Sequence, residues 1–126
     1  MHYASSRDHR DRDRGRWLAA GGALYAAAAV ALAAYAAHAV AGPAQDRLQT
    51  AALFAFGHGV ALAALASGVR GRLGRAALVG MWLAVLLFAG SLVGNVLAGW
   101  PTRLAPYGGS LAIASWVVFA LDRLRR

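Results

Sequence analysis

The residues that could do chemistry in this chain are few, and they are separated by long apolar stretches. The candidates form one functional polar cluster: His38, Gln49, His58, Ser91 and Asn95. Histidine can titrate near physiological pH, so His58 could carry a proton or bind a ligand. It could equally be a neutral side chain hydrogen-bonded to a neighbouring helix, because an unpaired polar group in an apolar interior is costly. The sequence alone leaves both interpretations open.

A catalytic or metal-binding set is harder to assemble. The chain has no cysteine, which excludes disulfides, a thiolate nucleophile and cysteine-ligated metals. Zinc needs three or four ligands, and the apolar stretches supply two histidines at most. At 1.5 Å per helical residue, His38 and His58 would differ in depth by roughly 15 Å, which disfavours a bis-histidine haem. Ser91, His38 and Asp46 could share one face, but nothing in their spacing demands a triad. We therefore predict no enzyme activity, no cofactor and no metal.

The charged residues divide the chain into long apolar windows. Four windows without Asp, Glu, Lys or Arg contain 29, 22, 27 and 18 residues, and they begin after Arg16, Arg47, Arg75 and Arg103. A membrane-spanning helix needs about 20 apolar residues, so each window fits one span. The competing interpretation, a soluble alanine-rich bundle, needs a polar face on every helix. The segments 30–37 and 81–89 are apolar all the way round, which favours lipid.

We therefore predict an all-α fold, a membrane-spanning up-down-up-down four-helix bundle in one domain, 17–126. The expected spans are about 17–40, 47–69, 76–100 and 104–122. Residues 1–16 are of mixed charge and low complexity and should form a disordered cytoplasmic tail. A cleaved signal peptide is an alternative, but the apolar run over 17–35 is longer than the 7–15 residues usual in such a peptide.

The arginines predict the orientation. With four spans, both tails and the second connection share a side, and that side has eleven of the thirteen arginines. The positive-inside rule then places both termini in the cytoplasm. Aromatic residues would form belts at the two membrane surfaces: Trp17, Trp82 and Trp116 at the inner one, and Tyr35, Trp100 and Tyr107 at the outer one.

Small residues should bring the helices together, because close packing drives helix association in lipid. Gly90 and Gly94 have GxxxG spacing in the third span, and Gly108 and Gly109 begin the fourth. These residues could pack the monomer internally or join two protomers.

Several stretches, taken in order, resemble a known family. They are Ala-His at 37–38, Gln-Thr-Ala at 49–51 with the later His58, Phe-Ala-Gly-Ser-Leu at 88–92, and Pro-Tyr-Gly-Gly at 106–109. Together they resemble the domain of unknown function 423 family of small membrane proteins, over about residues 17–121. The chain departs from the family pattern at Ala36, Ala39, Ala89 and Val93. The resemblance implies a four-span protein of the bacterial inner membrane, with His38, His58, Gly90, Ser91, Pro106, Gly108 and Gly109 as the positions to test.

Two functions compete most closely, and a third, a membrane enzyme that uses His38 or His58 as an acid-base, is less favoured because no partner carboxylate is evident in the core. The first is a non-enzymatic accessory or scaffold protein that binds other membrane proteins or lipid, or associates with itself. The second is an oligomeric conduit or transporter for protons or a small solute, lined by His58 and the outer polar cluster. Nucleic-acid binding is not expected. The arginines that give the net charge of +8 lie at the ends of the spans and do not form one basic surface.

Overall fold

A computed structural model describes the backbone of residues 2–126 and the side chains of residues 6–126. It contains four α-helices and, within the described residues, no strand. The helices are α1 (His2–Ala39), α2 (Gly42–Leu65), α3 (Arg72–Ala98) and α4 (Ala105–Leu124), and a short 3-10 turn, Ala66–Gly68, follows α2. Short connections make consecutive helices antiparallel.

Helix α1 begins earlier than the sequence predicts. A disordered tail was expected up to residue 16, whereas the structure has helix from His2. Arg12 pairs with Asp8 at 2.8 Å and Arg16 with Asp13 at 3.6 Å, at the i,i+4 and i,i+3 spacings that support a helix. The alternation of charge that suggested disorder therefore also fits a solvated helical extension. Met1 lies outside the described residues.

Two glycines set helix boundaries through their backbone angles. Helix α2 starts at Gly42, with φ of +67° and Pro43 next to it, five residues before the predicted span. Helix α3 ends before Gly99, with φ of +70°, whose N–H donates to the Asn95 carbonyl at 3.0 Å. The predicted span started at Arg47, but Asp46 and Arg47 both lie within the first turns of α2.

Helices α2 and α3 lie at the centre of the packing, with α1 along α2 and α4 along α3. The core is made of small and aliphatic residues in two clusters: Ala29, Ala51, Ala55, Val85 and Ala89 in one, and Leu62, Ala66, Leu78 and Met81 in the other. Helix α1 meets α3 over a smaller area, and there the Tyr25 hydroxyl donates to the Trp82 carbonyl at 3.0 Å. In the described part of the chain α1 and α4 share no extended interface, so the arrangement is open between them.

Three helical segments are long and apolar enough to cross a membrane: Ser6–Ala39, Gly42–Gly68 and Arg72–Ala98. These are the helices of a membrane protein by length and composition. Helix α4 has 20 residues but is not among them. Its first turns contain glycine and serine, and Asp122 lies near its end, which lowers its mean hydropathy.

The polar groups sort to the two ends of the helices. At one end Asp11 of α1 pairs with Arg75 of α3 at 3.0 Å, and Arg123 of α4 approaches the Gly68 carbonyl at 3.5 Å. This end, called the arginine-rich end below, holds all the arginines except Arg47 and Arg103. The start of α1, the connection between α2 and α3 and the end of α4 therefore lie at one end of the bundle. These are the segments that the sequence assigns to one side of the membrane.

Candidate functional site

His58 lies on α2 and is held by contacts on both ring nitrogens. Its Nδ1 is 2.8 Å from the Phe54 carbonyl oxygen, one turn earlier, and the Trp116 indole Nε1 donates to its Nε2 at 3.1 Å. The ring also stacks on Phe54, with 4.2 Å between centroids. Helix α4 is therefore tied to α2 through this one side chain.

These contacts define the protonation of His58. An indole N–H can only donate, so Nε2 must accept and carries no proton. A carbonyl can only accept, so the proton lies on Nδ1. In this tautomer both ring nitrogens have a hydrogen-bond partner. The geometry favours the structural interpretation of His58.

Asn95 is the centre of a second polar group, at the end opposite the arginine-rich end. Its side-chain oxygen accepts from Arg47 at 2.8 Å, and its amide nitrogen donates to the Trp100 carbonyl at 2.8 Å. Helix α2, helix α3 and the connection after α3 meet here. A charged donor makes the first of these bonds a strong one.

Ser91 lies one turn before Asn95 on the same helix and is 7% exposed. Its hydroxyl has no hydrogen-bond partner among the described residues. In a helix a serine hydroxyl can rotate toward the carbonyl four residues earlier, and this small group fits a tightly packed interior.

The two remaining members of the predicted cluster face outward. His38 is exposed in the last turn of α1. Gln49 is exposed beside an apolar groove between α1 and α2. The five predicted residues thus occupy separate places: His58 against Trp116, Ser91 and Asn95 along α3, and His38 and Gln49 on the outer surface.

The four predicted packing glycines differ in how closely other residues approach them. A Cβ at Gly108 would lie 2.5 Å from the Phe88 backbone nitrogen, so α4 approaches α3 closely there, and Gly109 makes an ordinary contact with the Phe88 ring. Gly94 faces the Trp100 ring of the following connection. A Cβ at Gly90 would meet nothing within 4 Å, so the GxxxG pair does not form a helix contact in the described structure.

Asp122 is a polar residue that the sequence analysis did not select. It is 1% exposed, although it lies only four residues from the end of the chain. Its carboxylate is 3.4 Å from the Arg126 Nε and lies against the first turn of α3, where a Cβ at Gly74 would be 2.7 Å from Oδ2. A helix N-terminus stabilises a carboxylate. The i,i+4 spacing of Asp122 and Arg126 was visible in the sequence, but the burial was not.

Among the described residues no group of three or more His, Asp or Glu is placed to hold a metal ion. A comparison with family models matches residues 32–109 to the family described as Protein of unknown function (DUF423). The chain belongs to this family. Comparisons with curated proteins and with solved structures find no match.

The DUF423 region runs from the last turns of α1 to the first turn of α4. It contains the whole predicted polar cluster and the four packing glycines. Trp116, which fixes the tautomer of His58, and Asp122 both lie beyond it. In this DUF423 protein the histidine is therefore oriented by a residue outside the matched region.

Proposed function

We propose that this DUF423 protein is a four-span protein of the bacterial plasma membrane, with both termini in the cytoplasm. Its role would be that of a non-enzymatic accessory or scaffold protein that binds other membrane proteins or lipid. Support for the fourth span comes from the length of α4, since 20 residues measure about 30 Å, the thickness of the hydrocarbon core. The arginine-rich end supports the orientation.

The observation that carries the accessory role is the bonding of His58. A proton carrier or ligand needs a nitrogen that is free to exchange its partner, whereas both nitrogens of His58 are occupied, Nδ1 by the Phe54 carbonyl of its own helix and Nε2 by Trp116 of α4. Asn95 and Arg47 are likewise occupied with each other. His58, Asn95 and Arg47 therefore tie helices of the same molecule together, and its outer surfaces are left for recognition.

Those outer surfaces are apolar and extensive. Large side chains such as Leu53, Val117 and Ile113 are more than half exposed. In a membrane protein such faces contact lipid or another helix. The second function, an oligomeric conduit, has less support, because the predicted polar cluster does not converge on one path.

The experiment is native mass spectrometry of the protein released gently from its own membrane, for the wild type and for His58→Gln. The accessory role predicts a bound heterologous protein or lipid that the His58→Gln variant retains if it stays folded. The same two proteins in liposomes would be assayed for proton and solute flux. A protein found only alone contradicts the accessory role, and a flux that the wild type shows and His58→Gln lacks supports the conduit instead.

A further inference from the structure

The face between α1 and α3 near the arginine-rich end forms an open groove of about 560 Å³. Helix α1 contributes a wall through Leu18, Gly21 and Leu24, and α3 contributes Val79 and Trp82. The groove exists because α1 packs mainly on α2; it meets α3 at the mouth, where Asp11 pairs with Arg75, and again at the deeper end. There the Tyr25 hydroxyl binds the Trp82 carbonyl and the two rings lie 5.5 Å apart, which closes the groove.

The groove is apolar along its length and charged at its mouth. Arg14 and Arg75 line it at the arginine-rich end, together with Trp17. Arg75 is paired with Asp11, whereas Arg14 forms no ion pair within the described residues. These three charged groups leave one net positive charge at the mouth.

The dimensions fit one leaflet. Arg14 and Leu24 are ten residues apart, which is about 15 Å along the helix and half of a hydrocarbon core. The exposed Trp17 indole lies beside the arginine, at the level where indoles prefer the headgroup region. An occupant must therefore be apolar over one leaflet and negatively charged at the cytoplasmic surface.

We propose that this groove binds an anionic phospholipid of the cytoplasmic leaflet, with an acyl chain between α1 and α3 and the phosphate at Arg14 and Arg75. The inference rests on the orientation given under the proposed function and names the lipid class that the protein would hold. A helix of a partner or of a second copy would fill the apolar part but would leave the charge at the mouth without a counterpart.

The test is a titration of the purified full-length protein in neutral detergent, followed by native mass spectrometry. The probes are phosphatidylglycerol and phosphatidylcholine with the same acyl chains. We expect tighter binding of the first phosphatidylglycerol, and an Arg14→Gln variant should lose about fivefold of that affinity, the contribution of one arginine at an anionic surface. Arg125→Gln, at the same end but outside the groove, is the matched control and should bind as the wild type does.

A second pair of variants tests the groove itself. Val79→Trp and Leu24→Trp place bulk in it at side chains that are 42% and 70% exposed, so the fold should tolerate them. Either should weaken the binding of both lipids while circular dichroism remains unchanged. Equal affinity for the two lipids, an equal loss in Arg125→Gln, or full binding in both tryptophan variants would overturn the proposal. A dimer that forms in place of lipid binding would assign the groove to a second copy. The titration contains no partner protein. A negative result would therefore count against the lipid groove and would leave the binding of a partner protein, tested under the proposed function, unaffected.

Discussion

Gly22 of α1 and Gly59 of α2 lie back to back where the two helices cross. A Cβ built on either glycine would come within 2.6 Å of the other's carbonyl oxygen. Both residues are buried, and no larger side chain fits without moving one helix. This contact sets the distance between α1 and α2. The GxxxG pair of α3 makes no comparable contact between helices.

Gly59→Ala should therefore destabilise the protein, and Gly57→Ala should not. Overpacking of a tight contact costs about 1–3 kcal/mol. A Cβ at Gly57 would meet nothing within 4 Å, and alanine in a helix is about 1 kcal/mol more favourable than glycine. Thermal unfolding in detergent should show a lower Tm for the first variant and an equal or higher Tm for the second. Equal Tm values for the two would mean that the crossing is looser than the structure has it.

The tautomer of His58 is a direct spectroscopic prediction. With nitrogen-15-labelled histidine, solid-state NMR of the membrane-embedded protein should show a protonated Nδ1 and an unprotonated Nε2 at neutral pH. Trp116→Phe removes the indole donor and should weaken the preference for this tautomer, which the Phe54 carbonyl alone then selects, at a cost in stability of about 0.5–1.5 kcal/mol. Trp17→Phe, at a side chain 78% exposed, is the control. An imidazolium signal at neutral pH would contradict the bonding described for His58.

The buried carboxylate of Asp122 gives a prediction about how α4 is attached. Asp122→Asn keeps the shape of the side chain but removes the charge that faces Arg126 and the N-terminus of α3. The loss should be about 1 kcal/mol, the usual size of a charge–helix interaction near a terminus. Asp46→Asn, exposed near the N-terminus of α2 at the opposite end, should lower the Tm by less, because water screens an exposed charge. If both substitutions act equally, the effect reflects net charge and not the position of Asp122.

The sequence predicted helices and their number because charge spacing and apolar length are local properties. It could not predict which small residues meet. Gly90 and Gly22 look alike in the sequence, yet one is open and the other is buried, since this depends on how each helix is rotated about its axis. The rotation of each helix also decides that Gln49 faces outward and Ser91 faces inward. Asp122 is buried because the small residues on α4 at Gly108, Ala112 and Ser115 continue in helical steps to it.

The membrane orientation can be tested cleanly because the chain has no cysteine, so any introduced thiol is unique. Ser67, Thr102 and Arg125 are exposed in the three segments that distinguish the possible topologies. In intact cells a membrane-impermeant maleimide should label Thr102→Cys, and it should label Ser67→Cys and Arg125→Cys only after permeabilisation. Labelling of Arg125→Cys together with Thr102→Cys would show that α4 lies on the outer surface instead of spanning. Labelling of Ser67→Cys and Arg125→Cys without Thr102→Cys would show that the protein is inserted the other way round, against the eleven arginines at that end.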